Sequence, residues 1–240
     1  MPSDVYVALS GLMAMEARLD TVANNIANMR TGGFRAEAVD FSTVLSDYGR
    51  DRVAFAESGG TFFDLSAGPV EETGNPLDVA IVGEGWFGIE TPAGLAYTRD
   101  GRFTVTPEGD LTTMTGYGVV DEGGAPIAID LAAGPVVIGA DGRMSQAGRN
   151  VGVLGLFALG PEAGLKRYGD TALLVNVPGE PVVDRAANGV KQGFREGSNV
   201  NAIEFITEMI AIQRAFEYGN AVLNDRQQSM EQAVRVLGGD

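Results

Sequence analysis

The chain has no cysteine and no histidine among its 240 residues. The first absence excludes disulfides, thiolate metal sites, iron–sulfur clusters and cysteine nucleophiles. The second removes the commonest general base and metal ligand, and with it any Ser-His-Asp triad. Lysine is almost missing too: Lys166 and Lys191 stand alone, and every other cation is an arginine. Arginine holds fixed, bidentate contacts better than lysine, which suits interfaces. Long apolar runs are also lacking. The longest uncharged stretches are Val5–Met15 and Asn150–Pro161, far short of the roughly 18 to 20 apolar residues that cross a bilayer. Asp4 stands where a secretory n-region would be basic, and no cleavage site follows. The expectation is a chain that is cytoplasmic, or exported by a route that leaves its N-terminus intact.

What is present is acid and glycine. Asp and Glu number 32 against 17 cations, a net charge of −15. Such a chain is repelled by nucleic acid and by anionic membranes. Hydrophobic residues make up 45%, so the composition is that of a folded protein. The 34 glycines suit many turns between short strands. The acid is concentrated in the middle, with −10 over 31–195 against −1 for 1–30 and −4 for 196–240.

The two ends read as helices. Val5, Leu12, Leu19 and Ile26 form one seven-residue series, and Ala8, Met15, Val22 and Met29 a second. Together they make an unbroken a/d seam. Gly32-Gly33 stops it. At the other end Ala202, Met209, Phe216, Leu223, Met230 and Leu237 recur in sevens, with Ile206, Gln213, Asn220, Gln227 and Val234 as a companion series whose centre is polar. Asn201 and Glu204 read as a capping box. An ordinary core helix would also carry such a stripe. Amides crowd both segments, however: Asn24, Asn25 and Asn28 in the first, Gln213, Asn220 and Gln227 in the second. Buried amides weaken a coiled coil but fix its register and partner. The expected assembly surface is therefore Val5, Leu12, Met15, Leu19, Val22, Asn24, Asn25, Ile26 and Asn28, together with Ile206, Met209, Gln213, Phe216, Asn220, Leu223, Gln227 and Met230.

The middle reads as β structure. Short runs such as Leu77–Val82, Trp86–Glu90, Leu95–Thr98, Phe103–Thr106, Pro126–Ile129, Val136–Ile138, Val151–Leu159 and Thr171–Val177 lie between turn residues. Asp100-Gly101 and Asp141-Gly142 read as hairpin turns. Residues 35–60 read as a polar connector with apolar pieces at Phe41, Val44 and Leu45. The expected fold is α+β: long N- and C-terminal helices (1–34 and 196–240) forming a coiled-coil-like helical domain, a connector at 35–60, and an inserted all-β domain at 61–195.

One chemical motif needs weighing. Gly83-Glu-Gly85-Trp-Phe-Gly88 follows an apolar strand and fits G-x-G-x-x-G. A dinucleotide site requires a helix to begin inside that motif. Pro92 and Gly94 break any helix there, so a glycine-punctuated hairpin is expected instead. The Asp-rich turns lack calcium-loop spacing. No Walker A and no G-x-S-x-G occurs. No catalytic, cofactor or metal residue is expected.

Several segments resemble the flagellar rod and hook proteins. Ala23-Asn-Asn-Ile-Ala-Asn28 followed by Thr31-Gly-Gly-Phe34 is similar to that family's N-terminal signature. Gly32 departs from the commoner Thr-Thr-Gly-Phe. Thr73–Ile81 with Gly83–Phe87 resembles its central motif, and Tyr97–Phe103 the next one. Ser198–Asn201 and Ile212–Glu217 match its C-terminal signature. The resemblance implies a structural subunit rather than an enzyme. It implies a hollow helical shaft that transmits torque, built by paired terminal helices from copies of the chain and other axial proteins. It also implies a place in the periplasmic rod of the basal body, delivery by the flagellar export apparatus without a cleaved signal peptide, and no cofactor, nucleic acid or small-molecule substrate. Another axial or hook-like subunit, a soluble dimeric coiled-coil adaptor and a secreted carboxylate-dependent cell-wall enzyme are the competing readings.

Overall fold

The computed structural model describes residues 2–48 and 51–237, with the side chains of 2–5, 41–58, 226–227, 230, 233–234 and 237 outside that description. The chain divides into two compact units. One holds Met1–Ala27, Glu37–Asp64 and Asn201–Asp240; the other holds Asn28–Ala36 and Leu65–Val200.

The first unit contains helix α1 (Pro2–Ala27), strands β1 (Glu37–Tyr48) and β2 (Asp51–Phe63), and helix α2 (Ala202–Leu237). Their 26 and 36 residues make rods of about 39 and 54 Å. The helices run antiparallel: Arg18 meets Glu208, and Leu12 meets Gly219. A Cβ on Gly219 would lie 3.0 Å from Leu12 Cδ2, so the missing side chain sets how closely the helices approach. Asn201 caps α2, its Oδ1 accepting from the amides of Ile203 and Glu204 at 3.2 and 3.5 Å.

This unit corrects the expected fold class. It is not a coiled-coil-like pair of helices, because strands Glu37–Tyr48 and Asp51–Phe63 pair antiparallel as a long hairpin that packs on α1. The expected connector is thus two strands. Their signal was the alternation Val39-Asp-Phe41-Ser-Thr43 and the run Val53-Ala-Phe55, diluted by the acids and serines between. The second α2 series is also displaced by one residue. The inward stripe is Ala202, Phe205, Met209, Ile212, Phe216, Gly219 and Leu223, whereas Ile206 and Gln213 are exposed. A residue on either side of a seam is only about 100° away, so apolar Ile206 competes with Phe205 for the reading.

The second unit is all β. Its strands are β3 (Val70–Glu72), β4 (Val79–Val82), β5 (Trp86–Thr91), β6 (Gly94–Thr98), β7 (Phe103–Val105), β8 (Leu111–Thr113), β9 (Gly118–Val119), β10 (Val136–Ile138), β11 (Arg143–Gln146), β12 (Arg149–Val153), β13 (Leu156–Ala158), β14 (Lys166–Tyr168), β15 (Ala172–Leu174), β16 (Glu180–Pro181), β17 (Gly189–Gln192) and β18 (Phe194–Glu196). The main sheet runs β14-β15-β6-β5-β9-β8-β7, with β13 and β16 attached beside β5. β10, β11 and β12 form a meander. The outermost strands in sequence pair with each other: β3 with β18, and β4 with β17. One core joins these layers, with Val79, Ile81, Phe87, Ile89, Leu111, Met144, Leu154 and Leu156 buried in it. Phe87 and Phe103 meet edge to face at 5.1 Å.

Two expected turns differ. Asp141-Gly142 does join paired strands, β10 and β11. Asp100-Gly101 joins β6 and β7, which are not neighbours in the sheet. The Gly83–Gly85 segment is no hairpin either: β4 pairs with β17 and β5 with β6, so the glycines turn a corner between two sheets. Gly83 and Gly85 have φ of 88° and 127°, and a Cβ on Gly88 would lie 2.6 Å from Phe157. Their role is backbone geometry, and strand β5 occupies the place where a phosphate-binding helix would begin.

Ala147 is the one non-glycine residue with positive φ, at 48°, among the described residues. With Gly148 at 75° it forms the two-residue turn between β11 and β12, a geometry that favours Asn-Gly. Replacing Ala147 by Asn is expected to raise the melting temperature by about 2–4 °C, the effect of roughly 1 kcal/mol on a chain this long. An unchanged or lower melting temperature in calorimetry would contradict the turn assignment.

Candidate functional site

The sequence signatures that lie far apart in the chain meet within the second unit. Thr31-Gly-Gly-Phe34 turns directly against Arg99-Asp100-Gly101-Arg102. Gly33 has φ of 68°, and a Cβ there would lie 2.2 Å from the Asp100 amide nitrogen. Only glycine fits. Asp100 grips Arg102 with two bonds of 2.8 and 2.7 Å, and this hydrogen bonding to Asp100 is the largest influence holding Arg102 above the ordinary arginine value. The Thr73–Asp78 turn completes this side: Asn75 donates to Asp78 at 2.8 Å, and Val79 N donates to Gly101 O at 2.9 Å. A Cβ on Gly101 would sit 1.7 Å from the carbonyl oxygen of Val79, so these two motifs also fix one another.

Beside them lies a buried ionic cluster. Glu196 is fully buried and accepts from Arg35 Nη2, from Arg99 Nη1 at 3.2 Å and from Gly68 N at 3.0 Å. Both guanidinium groups lie over Trp86, at 5.5 and 5.4 Å from its ring centroid. Burial is the largest influence on Arg99 and pushes it below the ordinary arginine value; Glu196 opposes this and Arg35 adds to it. Arginine remains charged under such a shift, where lysine would neutralise. Asn199 adds the last tie: its Oδ1 accepts from Ala36 N at 2.7 Å, and its backbone N–H donates to Phe34 O at 3.3 Å. Arg167 closes over Phe34, 4.3 Å from its ring, and donates to the Arg35 carbonyl at 2.7 Å. The segments 31–36, 66–69 and 196–199 are thus stitched together where the chain enters and leaves this unit.

The expected assembly residues, all in the first unit except Asn28, separate into groups. Leu12, Val22 and Asn25 are buried inside the subunit and have no surface to offer a neighbour. Asn25 instead exchanges two bonds with Glu37, donating to its carbonyl at 2.7 Å and accepting from its amide at 3.0 Å. Met15, Leu19, Ile26, Asn28, Met209, Phe216, Asn220 and Leu223 are half-buried, while Asn24, Ile206 and Gln213 are exposed. Asn28 accepts from Thr31 Oγ1 at 3.0 Å. The side chains of Val5, Gln227 and Met230 lie outside the described residues. Of the expected residues Ile206 faces outward, and the reading of the sequence missed the apolar residues that flank it or match it: Tyr6, Leu9 and Met13 on α1, and Ile203 and Ile210 on α2, so that each helix carries a set spaced i, i+3, i+7. Ile203 is 80% exposed. From Asn224 onward every described side chain of α2 is exposed.

Comparison with known proteins agrees with this anatomy. The family model described as "Flagella basal body rod protein" matches residues 5–35. "Flagellar hook protein FlgE/F/G D1 domain" matches 80–146, and "Flagellar basal body rod FlgEFG protein C-terminal" matches 191–236. Arg35, Arg99 and Glu196 fall one in each. A Rhizobium meliloti protein named flagellar basal-body rod protein FlgF is 46% identical over 100% of this chain and 99% of its own length. Its namesake in Mesorhizobium japonicum is 45% identical over 99% of both chains. A Bacillus subtilis relative named FlgG is 30% identical over 98% of this chain and 99% of its own. Fold and matches together define an axial structural protein of the bacterial flagellum. The chain belongs to the family of flagellar basal-body rod proteins and is most like the members named FlgF. It is a structural subunit of the proximal rod.

Two glycines with nearly equal φ test the packing of the motifs. Gly33, at 68°, abuts Asp100, whereas Gly74, at 71°, has open space where a Cβ would go. Gly74→Ala is expected to cost about 1 kcal/mol from backbone strain alone. Gly33→Ala adds a clash with rigid backbone and is expected to cost about 3 kcal/mol or more. Equal losses in denaturant unfolding would contradict the contact between the two signatures.

Proposed function

We propose that the subunit joins the rod through the outward faces of its two terminal helices. The observation that carries this is the pair of exposed apolar stripes, Tyr6-Leu9-Met13 and Ile203-Ile206-Ile210. Each large side chain left in water forgoes about 1.5 to 3 kcal/mol of burial. Neighbouring copies and other axial proteins recover that burial when they cover the stripes. When the α1 stripe of one copy covers the α2 stripe of the next, head to tail, the contact is heterologous. Such a contact, if its rotation does not close, builds an open helix rather than a ring. The product is a hollow helical shaft, stiff because long helices pack side by side, that transmits torque through the basal body. The half-buried amide Asn220 and the exposed Gln213 set register in that packing.

The role is structural, not enzymatic. The buried acids and arginines of the second unit are spent on one another, and the glycine-rich corner is filled by strand β5. Placement in the periplasmic rod, and delivery by the flagellar export apparatus without removal of an N-terminal peptide, complete the reading. Both rest on the family to which the chain belongs.

The test is substitution on the outward face. Ile206→Asp with Ile210→Asp is expected to leave the melting temperature within about 2 °C, since surface changes move stability little. The same change is expected to abolish incorporation into the rod and motility, because an unpaired charge buried in an interface costs several kcal/mol. Leu12→Asp, by contrast, is expected to unfold the first unit. Normal swimming by the Ile206/Ile210 double variant would remove this face from the mechanism. Gln213→Leu is expected to strengthen association while loosening register, seen as aggregates beside a normally folded subunit; unaltered assembly would deny it a register role.

A further inference from the structure

We infer that Glu196 is a closing latch: the second unit reaches its folded state only when residues 189–199 dock, so the sheet and the stitched chain ends form as one cooperative step. Three observations lead there. First, the latch is a single carboxylate joining segments distant in sequence, since Arg35, Gly68 and Arg99 lie 161, 128 and 97 residues from it. Second, Glu196 is the only anion bonded to either guanidinium among the described contacts. Arg35 and Arg99 stack on the same indole and repel each other. A sheet closed before Glu196 arrives would bury two unpaired cations, which the protein interior does not tolerate. Third, the core itself needs the same late segment. Val79 and Ile81 are buried in it, and their strand β4 has β17 as its partner, with Ile81 opposite Val190. Strand β3 likewise waits for β18, with Glu71 opposite Arg195. These pairings are among the longest-range in the unit, so their loop-closure cost falls on the same step as the ionic docking. A chain that stops short of Glu196 therefore stays open, however complete its central sheet.

The inference does not depend on how the subunit assembles. It is tested by native-state hydrogen exchange on the full chain in sub-denaturing guanidinium. Four amides report it. Gly33 and Gly197 donate across the stitched ends, to Glu196 O at 2.9 Å and Pro69 O at 2.8 Å. Leu111 and Val120 donate within the sheet region, to Ile127 O at 2.9 Å and Gly88 O at 3.1 Å. The expected result is one shared opening, with all four protection factors agreeing within about tenfold. A larger gap, with Gly33 and Gly197 exchanging faster, overturns the inference, because the ends then open while the sheet stays closed. A variant at the cluster supplies a second measurement. Arg35→Met leaves Arg99 and Glu196 as a balanced pair and keeps an apolar side chain on Trp86. Leu111 and Val120 are expected to lose protection by the same factor as Gly33. A loss confined to Gly33 and Gly197 would equally overturn it.

Discussion

One buried carboxylate holds the second unit to both of its chain ends. Glu196 pairs with two arginines and accepts from a backbone amide in a site from which water is excluded. Buried ion pairs of this kind add little net stability, because desolvation offsets much of the attraction. What they impose is uniqueness. Losing any partner leaves a charge stranded, so alternative arrangements of the three crossing segments are penalised. Trp86, the only tryptophan in the chain, supplies the flat surface that lets two like charges share one site.

The first unit solves a different problem. A pair of antiparallel helices can bury only one stripe each, and here α1 divides its inward face between α2 and the hairpin. That division leaves α2 underfilled beyond Leu223, where the described side chains all face solvent. The subunit is thus complete in its β unit and incomplete along its longest helix.

The helices and most of the strands were legible in the sequence because each carries a local pattern: heptads at both ends, short apolar runs between turn residues in the middle. The α1 seam at Leu12, Met15, Leu19 and Val22 was legible as a periodic stripe, but it was read as an assembly surface, and Leu12 and Val22 are buried within the subunit. The hairpin was not legible, because Asp, Glu and Ser interrupt its alternation and dilute the short run Val53-Ala-Phe55. Ile206 and Phe205 are both apolar, so the α2 seam could be read one residue off. The ionic cluster was invisible for another reason. Arg35 and Glu196 are separated by most of the chain, and each looks like an ordinary solvated charge; only the fold brings them over Trp86. The signature motifs, in contrast, were found as strings before their meaning was known. Their physical content is mutual contact, as Gly33 against Asp100 and Gly101 against Val79 show.

The paired bonds between Asn25 and Glu37 have a mechanical side. A hairpin pulled at its two base residues, 37 and 63, opens by unzipping, one cross-strand pair at a time, and the pair nearest the base carries the first load. In this protein that base residue is also clamped by the helix amide. A shift of register lies between Val39 and Phe41, immediately above it, and resists sliding of one strand along the other. Tension arriving at Glu37 is therefore shared with α1 before any strand pair separates.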